Sequence, residues 1–459
     1  MYIHMRQLVA LTAAALILAP AGVSNSLDTT SRVTAAGSVD IPDEDCRRAL
    51  DLIFSGHPRE ATVYVDSLEG LYGRSPLYRL TRARVYREFL PIDDERKDVV
   101  KKLAEPIHHD IDLAIEECTR RMEVGDSDPR LLLYRGWGWM FKSHIRTFER
   151  SFWTAGRDAK KGKSDLTEYL AVEPDDPVAN GIMGAFLYFA DTLPAAFKFI
   201  SKLLFMPSGD RDEGLRLMVK ASGKPSLIEM DNKTLLFSVY LAFEGRYEDG
   251  LAGFARLHRR YPNYPAFIRP FVITLPFTPQ RVVETRRMID RLFEARAGAP
   301  RCDLDLASFA LLRFSRAYAD RFFDPAAAEA EFEALVADAP EHPDWLPGYA
   351  RFELARMAAS RGDYDDARTW LRGVLEDESS AYLHSETRSM LDELDEPGTP
   401  SALAGVPIAD IYTAGRDSVA DIAARLRTME PRTVQTDFYF GEALLRTGDY
   451  SGAQAAFQR

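Results

Sequence analysis

"EGRYEDGLAGFARLHRRYPNYP", residues 244–265, decides the fold. Gly245 and Tyr247 mark a turn. Gly250 follows as a small residue, Phe254 comes four places later, and Pro262 closes the stretch. A small residue, an aromatic or Leu four places on, and a terminal Pro mark a helix–turn–helix repeat of about 34 residues. The spacing recurs. Ala328, Phe332 and Pro340 keep the same intervals, and Gly162, Leu166 and Pro174 form a looser copy. "RGDYDDARTWL" supplies Gly362, Tyr364, Ala367 and Leu371. "TGDYSGAQAAF" supplies Gly448, Tyr450, Ala453 and Phe457. Gly56, Ala61 and Val65 make a weak first copy.

The residue types follow from packing. The small residue belongs where two helices cross closely, and the residue four places on fills the next layer of the same face. Glycine relaxes the turn before the second helix, and proline ends that helix. One pair cannot bury its face alone, so neighbours must stack. The expectation is an all-α solenoid of antiparallel helix pairs forming a right-handed superhelix over 41–391. A turn-rich linker loop at 392–407 and further helix pairs over 408–459 complete it. The one β-like run, "FIRPFVITLPFTP" at 267–279, is broken by prolines and reads as a connector. The last copy stops at Arg459 inside its second helix, which predicts either a truncated sequence or a C-terminus covered by a partner.

Composition narrows the function. Apolar residues at 46% and charged residues at 28% are globular values. A net charge of −12 argues against a nucleic-acid partner. "MRQLVALTAAALILAPAG" has Arg6, an apolar run and a small-x-small site at Ala19 and Ala21, the pattern of a signal peptide over residues 1–21. Residues 22–40 then read as a flexible leader. This predicts an exported, periplasmic or secreted protein. Cys46, Cys118 and Cys302 are too few and too scattered for a disulfide framework or a metal site.

Residues 129–222 depart from the plain repeat. Tyr134, Trp137, Phe141, Ile145, Phe148 and Phe152 form an apolar stripe, expected on one long helix. Such a stripe is either core or an aromatic groove for a peptide or lipid. The 195–206 stretch sets Lys198, Ser201 and Lys202 on a narrow polar side, as in a buried helix or one lying on a membrane surface. Ser208 or Asp210 should cap the helix carrying Glu213 and Leu217.

"LPAAFKFISKLLFMPSGDRDEGLRLM", followed by "YLAFEGRYEDGLAGFARLHRRYPNYPAF", resembles a group of exported bacterial tetratricopeptide-repeat proteins. Leu193, Pro194, Gly209, Asp210, Arg211, Gly214, Leu215, Tyr261, Pro262 and Pro265 carry the likeness, over about 180–270. The chain is more distantly similar to eukaryotic tetratricopeptide proteins linked to clearing inclusion bodies. The resemblance implies a tetratricopeptide-like α-solenoid with an adaptor role and no catalytic residues.

Catalytic signals are weak. "GRDAKKGKS", 156–164, places five residues between its glycines where a phosphate loop needs four. Its basic cluster, Arg157, Lys160, Lys161 and Lys163, reads as a solvated helix end able to attract an acidic partner or lipid headgroup. In "PIHHDID", His108 and Asp112 stand four apart, with no third ligand in view. No cofactor is expected. The expected function is a non-catalytic protein- or peptide-binding scaffold of the cell envelope. A membrane-surface protein using 195–206 and the basic cluster is the alternative, and a metal-dependent enzyme at His108 and Asp112 comes third. In a helical stack the first helix of each pair lines the concave surface. That register places Tyr188, Asn232, Leu235, Arg313, Tyr349, Phe352, Arg356, Phe438 and Glu442 there.

Overall fold

The computed structural model describes residues 40–90, 97–192, 209–274, 281–298, 306–321, 324–338, 346–395, 410–429 and 434–457. Every regular element among them is helical. The expected signal peptide at 1–21, residues 22–39 of the expected leader, the 195–206 stretch, Cys302, Pro340 and residues 396–407 of the expected linker loop lie outside the described residues. The chain divides into two units between Tyr264 and Pro265.

In the first unit α1 (Asp43–Phe54) packs on α2 (Pro58–Ser67), and a short helix, α3 (Glu69–Tyr72), follows. Then come four more pairs: α4 (Pro76–Arg87) with α5 (Lys97–Glu123), α6 (Arg130–Phe148) with α7 (Phe152–Val172), α8 (Pro177–Thr192) with α9 (Arg211–Ser222), and α10 (Glu229–Ala242) with α11 (Tyr247–Arg260). Each second helix also packs on the first helix of the next pair. The first helices α1, α4, α6 and α8 adjoin in a row. This is tetratricopeptide-like stacking.

The repeat spacing does what its residue types dictate. The turn glycines Gly56, Gly245, Gly362 and Gly448 have φ of 87°, 64°, 87° and 88°, a region costly for a side chain with a Cβ. Ala61, Val65, Phe254, Ala328, Phe332, Ala367 and Leu371 are buried completely. Each buried Phe contributes about 1.5–3 kcal/mol. At Gly162 an added Cβ would lie 2.7 Å from the Gly136 carbonyl oxygen, so α6 and α7 cross there backbone to backbone. The 156–164 stretch is therefore the middle of a helix and not a loop. Asp210 caps α9, its carboxylate accepting from the Glu213 N–H at 3.0 Å.

One expectation is corrected. The aromatic stripe does not run on a single helix. Arg150, with φ of 55°, ends α6 two residues after Phe148, and Phe152 opens α7. Tyr134, Trp137, Phe141 and Ile145 are core, whereas Phe152 is 57% exposed. Periodicity carried across the break because one left-handed residue leaves no mark in a 3.6-residue pattern.

The second unit holds α12 (Arg269–Thr274), α13 (Val282–Gly298), α14 (Leu306–Asp320), α15 (Pro325–Ala337), α16 (Leu346–Arg361), α17 (Tyr364–Glu376), α18 (His384–Asp395), α19 (Asp410–Thr413), α20 (Arg416–Arg427), α21 (Val434–Thr447) and α22 (Tyr450–Phe457). The pairs α14–α15, α16–α17 and α21–α22 carry the repeat spacing, and α14 also adjoins α16. Phe352, Ala355, Leu371, Val374 and Leu383 form one core; Ile411, Val419, Ile422, Leu426, Phe440 and Ala443 form another. The expected connector becomes a 3-10 turn at Pro265–Phe267 and the short α12 as far as Thr274. The chain is an all-α solenoid of tetratricopeptide-like helix pairs. Among the described residues no helix is long and apolar enough to cross a membrane.

Candidate functional site

The residues expected on the binding wall divide by burial. Tyr188, Asn232, Leu235 and Phe352 are interior. The Tyr188 hydroxyl donates to Glu244, which Arg211 also grips through Nη2 at 2.8 and 2.9 Å. Asn232 Nδ2 donates to the Pro177 carbonyl at 3.2 Å, tying α10 to α8. Arg313 is half-buried and paired with Glu331 and, at 2.8 Å, Asp338. Tyr349 is half-buried against Phe314, ring centroids 6.3 Å apart. Phe438 lies on α21.

Arg356 lies in a cluster on the first helices of the second unit, which Glu442 adjoins through Tyr439. The Arg321 guanidinium, just past α14, stacks 3.8 Å from the Tyr318 ring centroid and donates to Glu353. Arg356 Nη1 donates to the other Glu353 oxygen at 3.3 Å. Glu353 is 4% exposed, so two cations are needed to hold its charge in place. From α21, Tyr439 enters the field of both guanidiniums. Burial pushes its phenol up and the two cations oppose the shift. Glu442, one helical turn along, is half-buried. Burial alone pushes its carboxyl up, and it has no ion pair among the described residues. The cluster thus combines the buried Tyr318 ring, the half-buried Tyr439 ring, two guanidiniums and, among the described residues, one carboxylate without an ion pair. Sequence reasoning missed Tyr318, Arg321, Glu353 and Tyr439. Their signal was Glu353 with Arg356, three apart on one helix, and Tyr318 with Arg321, three apart at the end of another, where side chains meet.

The first unit closes on itself. Arg84 on α4 reaches Asp231 on α10 at 3.0 Å and Glu88 at 2.5 Å, and its side chain is 2% exposed. The Tyr264 hydroxyl donates to the other Glu88 oxygen at 2.9 Å, and the Tyr261 hydroxyl to Asp51 at 2.5 Å. Phe54 packs against both tyrosine rings at 5.6 and 5.4 Å. The fifth pair is thereby fastened to the first and second, and Arg84, Glu88 and Asp231 face each other rather than solvent.

His108 and Asp112 do not act together. His108 Nε2 bonds Glu149 at 3.0 Å, while Asp112 pairs with Lys142. Burial holds the imidazole below its usual range, with Glu149 opposing. Among the described residues no three His, Cys, Asp or Glu side chains converge as metal ligands would. Cys46 and Cys118 are buried and free, and burial pushes the Cys46 thiol up to about 12.

Stacked antiparallel pairs with left-handed glycine turns define a tetratricopeptide-like helical-repeat protein. No family model matches the chain, and no curated protein matches it. Among solved structures it is similar to human IFIT1 in a dimer with PPP-AAAA, at 14% identity and TM-score 0.34, covering 92% of this chain and 94% of that one. It is similar also to yeast Tom70, at 13% identity and TM-score 0.36, covering 77% of this chain and 82% of that one.

Proposed function

We propose that this protein is a non-catalytic scaffold of the cell envelope that holds a protein or peptide on the first helices of its second unit. The observation that carries the proposal is the cluster of Tyr318, Arg321, Glu353, Arg356, Tyr439 and Glu442. Three first helices distant in sequence contribute to it, and it combines aromatic rings with both signs of charge. Aromatic and arginine side chains anchor recognition surfaces, since they offer large contact area with fixed polar ends. Glu442 supplies a carboxylate whose counter-charge a partner's cationic side chain would provide. The signal-peptide pattern at 1–21 supports an exported location.

The test is site-specific photocrosslinking in the native envelope. A crosslinker at Glu442 should trap a defined partner, and Arg356→Lys, which keeps a cation beside Glu353 but loses the guanidinium edge, should weaken the adduct while helical content stays unchanged. A crosslinker at Asp365, on the opposite helix of its pair, should trap none. Equal adducts at Asp365 and Glu442, or an adduct indifferent to Arg356→Lys, would refute the assignment.

A further inference from the structure

The outward face of α7 carries a second surface that the scaffold reading does not use. Trp153, Arg157, Lys161 and Ser164 follow one another at four-, four- and three-residue steps, and Lys160 stands three after Arg157 and four before Ser164, so the five share one side of the helix. All five are exposed, and Trp153 is 57% exposed, as is Phe152 beside it. Lys161 rests 3.8 Å from the half-buried Trp139 ring centroid, which extends the aromatic surface onto α6. The acids nearby are already engaged. Asp158 and Asp165 are buried and bonded at 2.8 Å to Arg146 and Arg135; Asp112 is held by Lys142, and Glu149 by His108. Glu168 is the remaining acid of α7, two turns beyond Lys161. A chain of net charge −12 therefore concentrates positive charge around two exposed aromatic side chains.

We infer that this face docks on an anionic phospholipid bilayer. Tryptophan and phenylalanine favour the depth of the headgroups, and lysine and arginine beside them meet the lipid phosphates. Each cation near an anionic surface strengthens attachment by roughly five-fold. The acidic balance of the rest of the chain opposes contact anywhere else, so charge selects both the partner and the orientation. The helix lies on the surface and inserts no further than its aromatic edge.

Flotation of the full chain with phosphatidylcholine vesicles, with and without phosphatidylglycerol, tests this. Binding should require phosphatidylglycerol and weaken with added salt. The triple variant Arg157→Glu, Lys160→Glu, Lys161→Glu should bind about a hundred-fold more weakly or worse. Trp153→Ser should bind about ten-fold more weakly. Circular dichroism matching the unaltered chain shows that these exposed changes leave the fold intact. No binding to phosphatidylglycerol vesicles, or binding indifferent to the triple variant, overturns the inference. Retention on immobilised polyglutamate without retention on vesicles overturns it too, and assigns the face to an acidic polypeptide.

Discussion

Replacing Arg84 by Met removes the cation that fastens α4 to α10. Methionine keeps the apolar stem of arginine as far as Nε and drops the guanidinium, so the change is mainly one of charge. Arg84 makes two bonds to Asp231 Oδ1, at 3.0 and 3.3 Å, and one to Glu88 at 2.5 Å. Among the described residues Asp231 Oδ2 has no hydrogen-bond partner, so that carboxylate depends on Arg84 for its stabilisation. Burial already pushes the Asp231 carboxyl up, with Arg84 the leading opposing influence. Glu88 keeps Arg87 at 3.7 Å and the Tyr264 hydroxyl at 2.9 Å. The uncompensated charge is thus mostly Asp231. Breaking one side of a buried pair costs about 3–5 kcal/mol, whereas replacing both sides by apolar groups is often neutral. In a unit of this size that loss lowers the melting temperature by roughly 6–20 °C. Arg84→Met, Asp231→Leu and the double variant complete the cycle. Urea unfolding followed by circular dichroism gives the energies, and hydrogen exchange in α4 and α10 locates them. The double variant should recover all but about 1 kcal/mol. A loss below about 1 kcal/mol for Arg84→Met, or a double variant as unstable as the two singles added, would refute the reasoning.

Three further outcomes can be measured on the same protein. Gly184 and Gly373 should respond oppositely to alanine. A Cβ at Gly184 meets the Gly214 carbonyl oxygen at 2.8 Å and the Met218 nitrogen at 2.9 Å, which costs about 1–3 kcal/mol in denaturant unfolding. At Gly373 the nearest atom is Arg351 Cδ at 3.5 Å, so Gly373→Ala should stabilise by about 0.5–1 kcal/mol. Asp210→Ala removes the cap of α9 and should cost about 1 kcal/mol, with Asp210→Ser recovering most of it. His108 resists protonation in the folded protein because it is buried, so the unfolded chain binds its proton more readily. Stability is full above the unfolded value of about 6.5 and falls as pH drops from there towards the lower folded value. The difference between wild type and His108→Gln across pH 7.5 to 5 isolates this contribution; a difference that does not change with pH would contradict it.

The sequence alone determined that the chain is a row of helix pairs. Small residue, aromatic four places on, left-handed glycine and closing proline are local rules, each satisfied within one or two turns, so they can be read without coordinates. Asp210 as a cap is equally local. Tertiary structure decided what those pairs present. One residue of slippage turns a side chain by 100°, which is why Tyr188, Asn232, Leu235 and Phe352 point into the core while Arg356 and Glu442 are half-buried. The single left-handed residue Arg150 moved Phe152 from an expected core stripe to an exposed edge beside the cations of α7. Arg84 and Asp231 stand 147 residues apart. Their meeting depends on the accumulated rotation from the second stacked pair to the fifth, a sum of small crossing angles that no local pattern encodes.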